Sequence, residues 1–485
     1  MTSSHDAGPA KRVLGWVGWA GADAVGRILL LTGSTAVLSR MLSPRDFGIT
    51  ALVLTVVAVM SVFVGTPFEE ALAQKRGLRR SHLEAALAAS WAVGLALLAL
   101  SVPAGMALGA AYDEPQMALL LPVASLSMFF SGHTDIATAL ARRRRRFNDV
   151  AFANLAGHAI GVTLALALAF AGAAVWALIA VRLFVMIARA VLLQMRLGAV
   201  IRPRWSTPRL KEIGRFAGFS FLDRLADNLT YLAFNNIVGV FYGVTTLGYV
   251  NMAMRLIEPI RGAIVAIAHN LAFSFFAGAD AARLRDSAST IASRTAFVIT
   301  PIFVGLAAVA PALLPVVAGP GWEQATKIAT CLALGGAIAV PARLIFTALS
   351  ASGRPEFGLM SSIVGFAATV VALVAAIALG PIAVGLARLV GDGVQAAIAI
   401  GLPNRLLSWS RTARLGAFLP AWILAGGMGV AVAVLGAALR SSGDLTSLLI
   451  SVPLGAVLYV ALLALFARDT LTTLAAAVRP HRAEA

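Results

Sequence analysis

The sequence carries one cysteine in 485 residues, Cys331, so no internal disulfide can hold the fold. Charged residues supply only 13% of it, about half the share found in ordinary soluble domains. That scarcity excludes a water-soluble multidomain enzyme and a disordered chain. Catalytic motifs are missing as well: there is no Gly-rich phosphate loop ending in Lys-Ser/Thr, no HExxH, no GxSxG and no Asp-x-Asp pair. The histidines are scattered. His5, His82 and His481 fall outside the apolar runs, and His133, His158 and His269 read as helix–helix hydrogen-bond partners rather than ligands. No metal site and no cofactor is expected. Long polar connections are lacking too. The longest runs from Leu197 to about Glu212, which leaves no room for an extramembrane domain.

What the chain has instead is apolar residues, 59% of the total, and 44 glycines, which suit close helix packing in lipid. A helix crossing the hydrocarbon core needs roughly 20 mostly apolar residues. About fourteen such runs can be read, near 14–39, 46–64, 83–110, 115–140, 148–170, 174–196, 213–242, 246–277, 290–318, 324–350, 356–378, 382–402, 415–438 and 445–467. Short segments of alternating polarity, the mark of a membrane barrel, do not occur. The expectation is an all-α polytopic membrane protein.

Basic residues orient the bundle. The even-numbered connections and both termini hold 26 Lys and Arg, including Lys75, Arg76, Arg79, Arg80, the run Arg142–Arg146 and Arg202, Arg204 and Arg209. The odd-numbered connections hold three, Arg40, Arg45 and Arg440. Both termini are therefore expected in the cytoplasm. Lys11 and Arg12 precede an apolar stretch that continues to Leu38, so the first span reads as uncleaved. The net charge of +17 is mostly this topology signal and does not call for nucleic acid. The Arg142–Arg146 run can also touch anionic membrane lipids.

An internal repeat is visible. Asp23 and Arg27 in the first span, with Asp46-Phe47-Gly48 opening the second, recur 200 residues on as Asp223 and Asp227 in the seventh and Thr246-Leu247-Gly248 opening the eighth. This predicts two six-span lobes in one orientation, 1–205 and 206–410, with spans 13 and 14 and a tail appended over 411–485. Two lobes about a central path is a transporter arrangement.

Ionisable residues inside spans are costly and mark either function or a structural ion pair. Asp223, Asp227, Tyr231 and Asn235 recur at four-residue spacing along one face of span 7, with Arg224 and Asn228 beside them. Span 8 carries Asn251, Arg255, Glu258 and Arg261 around Pro259; span 12 sets Arg388, Asp392 and Gln395 on one face; span 6 holds Arg182 and Arg189. Arg343 follows Pro341 in span 10, and both prolines are candidate hinges. Ten basic residues lie within the spans against six deep acidic ones, Asp23, Asp135, Asp223, Asp227, Glu258 and Asp392. An excess of guanidinium in a span calls for an anion or a water-filled cavity, and arginine's donor fork suits phosphate. The expected cationic, substrate-binding set is Arg27, Arg182, Arg224, Arg255, Arg261, Arg343 and Arg388. Asp23, Asp223, Asp227, Glu258 and Asp392 are read as ion-coupling or ion-pair acids.

The segment Leu38-Ser39-Arg40-Met41-Leu42-Ser43-Pro44-Arg45-Asp46-Phe47-Gly48 resembles the start of the polysaccharide-export flippases. Glu70 to Lys75, Leu140 to Phe147 and Leu247 to Ala253 are similar to later segments of that family. The resemblance implies the multidrug/oligosaccharidyl-lipid/polysaccharide transporter superfamily and, in the lipopolysaccharide and exopolysaccharide branch, an undecaprenyl-pyrophosphate-linked oligosaccharide as cargo. It also implies the bacterial inner membrane, a polysaccharide polymerase and a chain-length regulator as partners, and no enzymatic activity. The repeat within one chain makes a monomer the default. Two alternatives stay open: a cation-coupled multidrug antiporter, and a membrane glycosyltransferase or polymerase, which the absence of an extramembrane loop disfavours.

Overall fold

A computed structural model describes residues 9–198, 201–214, 218–276, 281–351, 354, 356–402, 410–468 and 472. The first compact unit ends at Asn251 and the second begins at Met252. The first holds α1 (Pro9–Met41), α2 (Pro44–Val64), α3 (Thr66–Gln74), α4 (Arg80–Tyr112), α5 (Met117–Ser125), α6 (Ser127–Arg143), α7 (Phe147–Phe170), α8 (Ala174–Leu197), α9 (Thr207–Gly214) and the start of α10 (Gly218–Phe276). The second holds the rest of α10, then α11 (Ala281–Ala318), α12 (Glu323–Ala351), α13 (Glu356–Ala375), α14 (Ile382–Gly401), α15 (Arg411–Ala438) and α16 (Asp444–Phe466). Two 3₁₀ turns complete the second unit, and no strand occurs among the described residues.

Twelve helices among the described residues are long and apolar enough to cross a membrane. One of them, Arg224–Ala266, is two spans. Its helical backbone breaks at Gly243, whose φ of 82° and ψ of 161° let the chain turn, a conformation a side chain would oppose. Against the fourteen runs expected, the break at Gly243 separates the seventh from the eighth, and α1 is not among the twelve. Large apolar side chains such as Leu95, Met106, Leu164, Val371, Leu449 and Val457 are exposed, as suits helices that face lipid. This is a multi-pass membrane protein.

The motif around Ser43 is a helix start in full. Ser43 caps α2 and closes a capping box with Asp46, Pro44 occupies the first turn, and Phe47 is fully buried. Gly48 and Gly248, the two repeat-related glycines, lie against each other's helix starts. A side chain at Gly48 would meet the Val244 carbonyl, and one at Gly248 would meet the Pro44 carbonyl. The contacts are reciprocal at the 200-residue offset.

In the first unit α1 packs on α7, α7 on α8 and α8 on α6, around a core that includes Leu72, Leu87, Ile136, Leu140, Leu193 and Ile213. The second is built on α11, α12, α14 and α15, with Phe303 and Phe418 fully buried and Tyr459 donating to the Phe297 carbonyl at 2.7 Å. The compact units divide at 251/252 and the expected lobes at 205/206, because the first span of the second repeat packs within the first unit: Asn235 donates to Thr55 Oγ1 at 2.7 Å, and Tyr112 donates to Asn236 Oδ1 at 2.8 Å.

Candidate functional site

Two groups of charge lie at membrane depth, one in each unit. In the first, α8 carries Arg182 about 22 Å from its arginine-rich end at 1.5 Å per residue. Its Nε donates to Ser127 Oγ at 3.2 Å and its Nη2 to Ser61 Oγ at 2.9 Å. Both partners are neutral. Ser61 comes from α2 and Ser127 from the start of α6, so three helices hold the guanidinium without neutralising it. Among the described residues no carboxylate lies within ion-pair distance of Arg182. Of its five donors three are left for another acceptor.

Asp135 stands on α6, about 10 Å from Arg142 at the basic end. It lies in the electrostatic reach of Arg182, Arg189, Arg224, Arg142 and Glu69. Glu69, on α3, is buried and paired with Arg142 at 2.9 Å. The carboxyl of Asp135 instead packs over Gly65, where α2 breaks and α3 begins; a Cβ there would come within 2.9 Å of Asp135 Cγ. Ser90 closes part of that break by donating to the Val64 carbonyl.

In the second unit Arg261 is buried and ion-paired through its terminal nitrogens, while its Nε has no hydrogen-bond partner among the described residues. Its Nη2 donates to Asp392 Oδ2 at 2.7 Å and to the Leu332 carbonyl at 3.1 Å, and Nη1 lies 3.6 Å from Glu258. Asp392 is 5% exposed, so the pair is removed from solvent and each charge depends on the other. Arg343 differs. It is exposed, shares the field of Asp392, Glu258, Arg261 and Arg388, and has no carboxylate within ion-pair distance among the described residues.

The expected site residues therefore separate by surroundings. Arg182 and Arg343 have no carboxylate within ion-pair distance among the described residues, and Arg261 has one of its own. Arg27, Arg224, Arg255 and Arg388 are engaged by neighbouring groups. Asp392 and Glu258 serve Arg261, and Asp227 is exposed and engaged. The side chains of Asp23 and Asp223 lie outside the described residues. Sequence reasoning left Ser61, Ser127 and Glu69 out of the site, and counted Asp135 as a deep acid without a role. Serines are common in apolar helices, and only the guanidinium lying between these two distinguishes them.

At the arginine-rich end, α9 forms where the sequence suggested a plain connection. Glu212 on α9 accepts from His82 Nε2 and Lys75 Nζ, each at 3.0 Å, and from Arg209 at 2.9 Å. The Arg79 backbone N–H donates to His82 Nδ1 at 3.0 Å, which leaves the proton on Nε2, facing Glu212. The bonds from His82 and Lys75 hold the Glu212 carboxyl down at about 2.

Comparison with known proteins agrees with this architecture. A family model described as polysaccharide biosynthesis protein matches residues 37–327. The succinoglycan biosynthesis transport protein ExoT of Rhizobium meliloti (strain 1021) is 28% identical over 355 residues, 71% of this chain and 70% of that one. An uncharacterized membrane protein in the cps region of Klebsiella pneumoniae is 21% identical over 347 residues, 70% of this chain and 71% of that one. Among solved structures, the lipid II flippase MurJ in an inward closed conformation superposes with a TM-score of 0.73 at 15% identity, covering 94% of this chain and all of that one. An inward-facing multidrug resistance MATE family transporter gives 0.60 at 15% identity, covering 81% of this chain and 98% of that one. At such identities the likeness is one of fold.

Proposed function

The chain belongs to the family of polysaccharide biosynthesis proteins, and from that premise we propose that it is a flippase for undecaprenyl-pyrophosphate-linked oligosaccharide repeat units. On this reading it carries them across the bacterial inner membrane for exopolysaccharide or lipopolysaccharide synthesis. The observation that carries the reading is Arg182, a guanidinium deep in a span whose direct contacts are two serines, with no carboxylate within ion-pair distance among the described residues. An arginine at the centre of a membrane helix costs about 2.5–3.5 kcal/mol on insertion scales. A diphosphate supplies the missing anion and replaces serine-only contacts with charge-assisted ones. Arg343 offers a second such contact in the other unit.

The two six-helix lobes alternate access to the two faces, with the termini and the arginine-rich connections in the cytoplasm. The positive path takes the place of part of the water lost by the headgroup, while the prenyl tail stays in lipid. The protein acts as a monomer and passes its cargo to a polymerase and a chain-length regulator. ExoT, by its name a transport protein of succinoglycan biosynthesis, supports a transport role in polysaccharide synthesis.

Transbilayer movement of a fluorescent undecaprenyl-diphosphate oligosaccharide in proteoliposomes tests this. Wild type is expected to move the probe, and Arg182→Gln with Arg343→Gln to slow it at least about tenfold, the equivalent of 1.4 kcal/mol. Movement at wild-type rate in a correctly inserted double variant would discard these arginines as the anion contact. Dye efflux driven by an ion gradient, with no lipid movement, would favour the multidrug antiporter instead.

A further inference from the structure

Asp135 is an acidic group inside the first unit that the site as described does not use. Its surroundings are unusual for a carboxylate in a span. Among the described residues no basic group lies within ion-pair distance of it, since Arg142 is paired with Glu69 and Arg182 is held by serines. It is nevertheless only partly covered. The charged groups that face it are Glu69 on α3, Arg182 and Arg189 on α8, Arg224 on α10 and Arg142 on its own helix. His133, two residues earlier on α6, is engaged by Gln194. Gly65, between α2 and α3, lies against the carboxyl, and α2, α4, α5 and α7 bring no charged group to it among the described residues.

Resting on the reading of Arg182 as an anion contact, we propose that Asp135 is the proton carrier of this site. Its carboxylate takes a proton from water when a diphosphate occupies Arg182 and returns it to water when the diphosphate leaves. Without the anion, the ionised carboxyl balances the guanidiniums around it and is helped by the amino end of α3. With the anion present, a second negative charge in the same field is repelled, and a proton on Asp135 removes that repulsion. Linkage makes the effect reciprocal: if the anion draws in a proton, the proton tightens the anion. A metal cation does not fit, because no group of acidic or histidine ligands able to hold one is found among the described residues and the guanidiniums repel it. A proton needs only the one oxygen.

The test uses the full chain in nanodiscs with farnesyl diphosphate as probe, titrated by calorimetry at pH 6 and pH 8 in two buffers of different ionisation heat. Wild type is expected to bind more tightly at pH 6 than Asp135→Asn does relative to pH 8, by about threefold or more, and to take up more protons per bound probe. The diphosphate's own ionisation is common to both proteins and cancels in that comparison. Arg182→Gln is expected to lose binding at both pH values. If Asp135→Asn keeps the wild-type pH dependence and proton count, the proton-carrier role is overturned and the flippase reading stands. If wild type fails to bind at either pH, the anion contact itself is lost, and the proton role with it. Should Asp135→Asn not fold, infrared difference spectra of wild type decide: a new protonated-carboxyl stretch on adding the probe supports the proposal, and its absence overturns it.

Discussion

Replacing Gly48 by alanine offers a sharp test of the contact between the two repeats. A Cβ built at Gly48 lies against the Val244 carbonyl oxygen, with the carbonyl carbon at 2.8 Å and Val244 Cγ1 at 3.0 Å. Carbon atoms rest best at about 3.5–4.0 Å, so the starts of α2 and of the helix after Gly243 must part by about 1 Å. The obstacle is backbone and cannot rotate away. The neighbours offer no slack either, because Phe47, Ile49 and Leu247 are fully buried. A gap of that size forfeits roughly a quarter to a half of the dispersion attraction across it, and overpacking of this kind costs about 1–3 kcal/mol. The better helix propensity of alanine returns at most about 1 kcal/mol. The expected net loss is about 1–2 kcal/mol, read by unfolding in detergent followed through tryptophan fluorescence. Gly248→Ala should behave alike, since its Cβ meets the Pro44 carbonyl carbon at 2.6 Å. The double variant should lose less than the two losses combined, because helices already parted accept the second methyl more easily. Gly33→Ala, with nothing within 4 Å, is the control and should be neutral or stabilising. Wild-type stability in Gly48→Ala, or strict additivity in the pair, would refute the reciprocal contact.

Three further expectations concern the charged groups. Removing either member of the buried Arg261–Asp392 pair should cost about 3–5 kcal/mol, whereas Arg261→Met with Asp392→Leu should cost far less and still bind farnesyl diphosphate; loss of binding in that double variant would return Arg261 to the anion contact. Gly65→Ala should push the Asp135 carboxyl from its seat and change the pH dependence of probe binding with little loss of affinity at pH 8; an unchanged pH profile would separate Asp135 from that glycine. Glu212 is held at about 2, below the ordinary glutamate value of 4.5. The docking of α9 it supports is therefore complete above about 4.5 and lost as pH falls from there through 2. Hydrogen exchange over 207–214 should rise in that window, and Glu212→Gln should raise it at pH 7; protection unchanged by either would show that α9 is held by its apolar face alone.

The membrane class and the all-helical character were legible in the sequence, since hydropathy is a property of neighbouring residues summed over about 20 positions. The offset of 200 already paired Gly48 with Gly248, and Ser43-Pro44-Arg45-Asp46 already spelled a capped helix start. Which arginines keep their charge was not legible. Arg261 meets Asp392 across 131 residues of chain, and Arg182 meets Ser127 and Ser61 across 55 and 121. Glu258 beside Arg261 follows from their i,i+3 spacing on one helix, but helical periodicity could not place Asp135 over the break at Gly65. Neutralisation of a buried charge depends on which oxygen reaches it within a few ångströms, and in a helical bundle that oxygen comes from another helix. Sequence alone therefore decided that guanidiniums lie in the apolar helices; only the packing of the helices decided which of them have a carboxylate within reach.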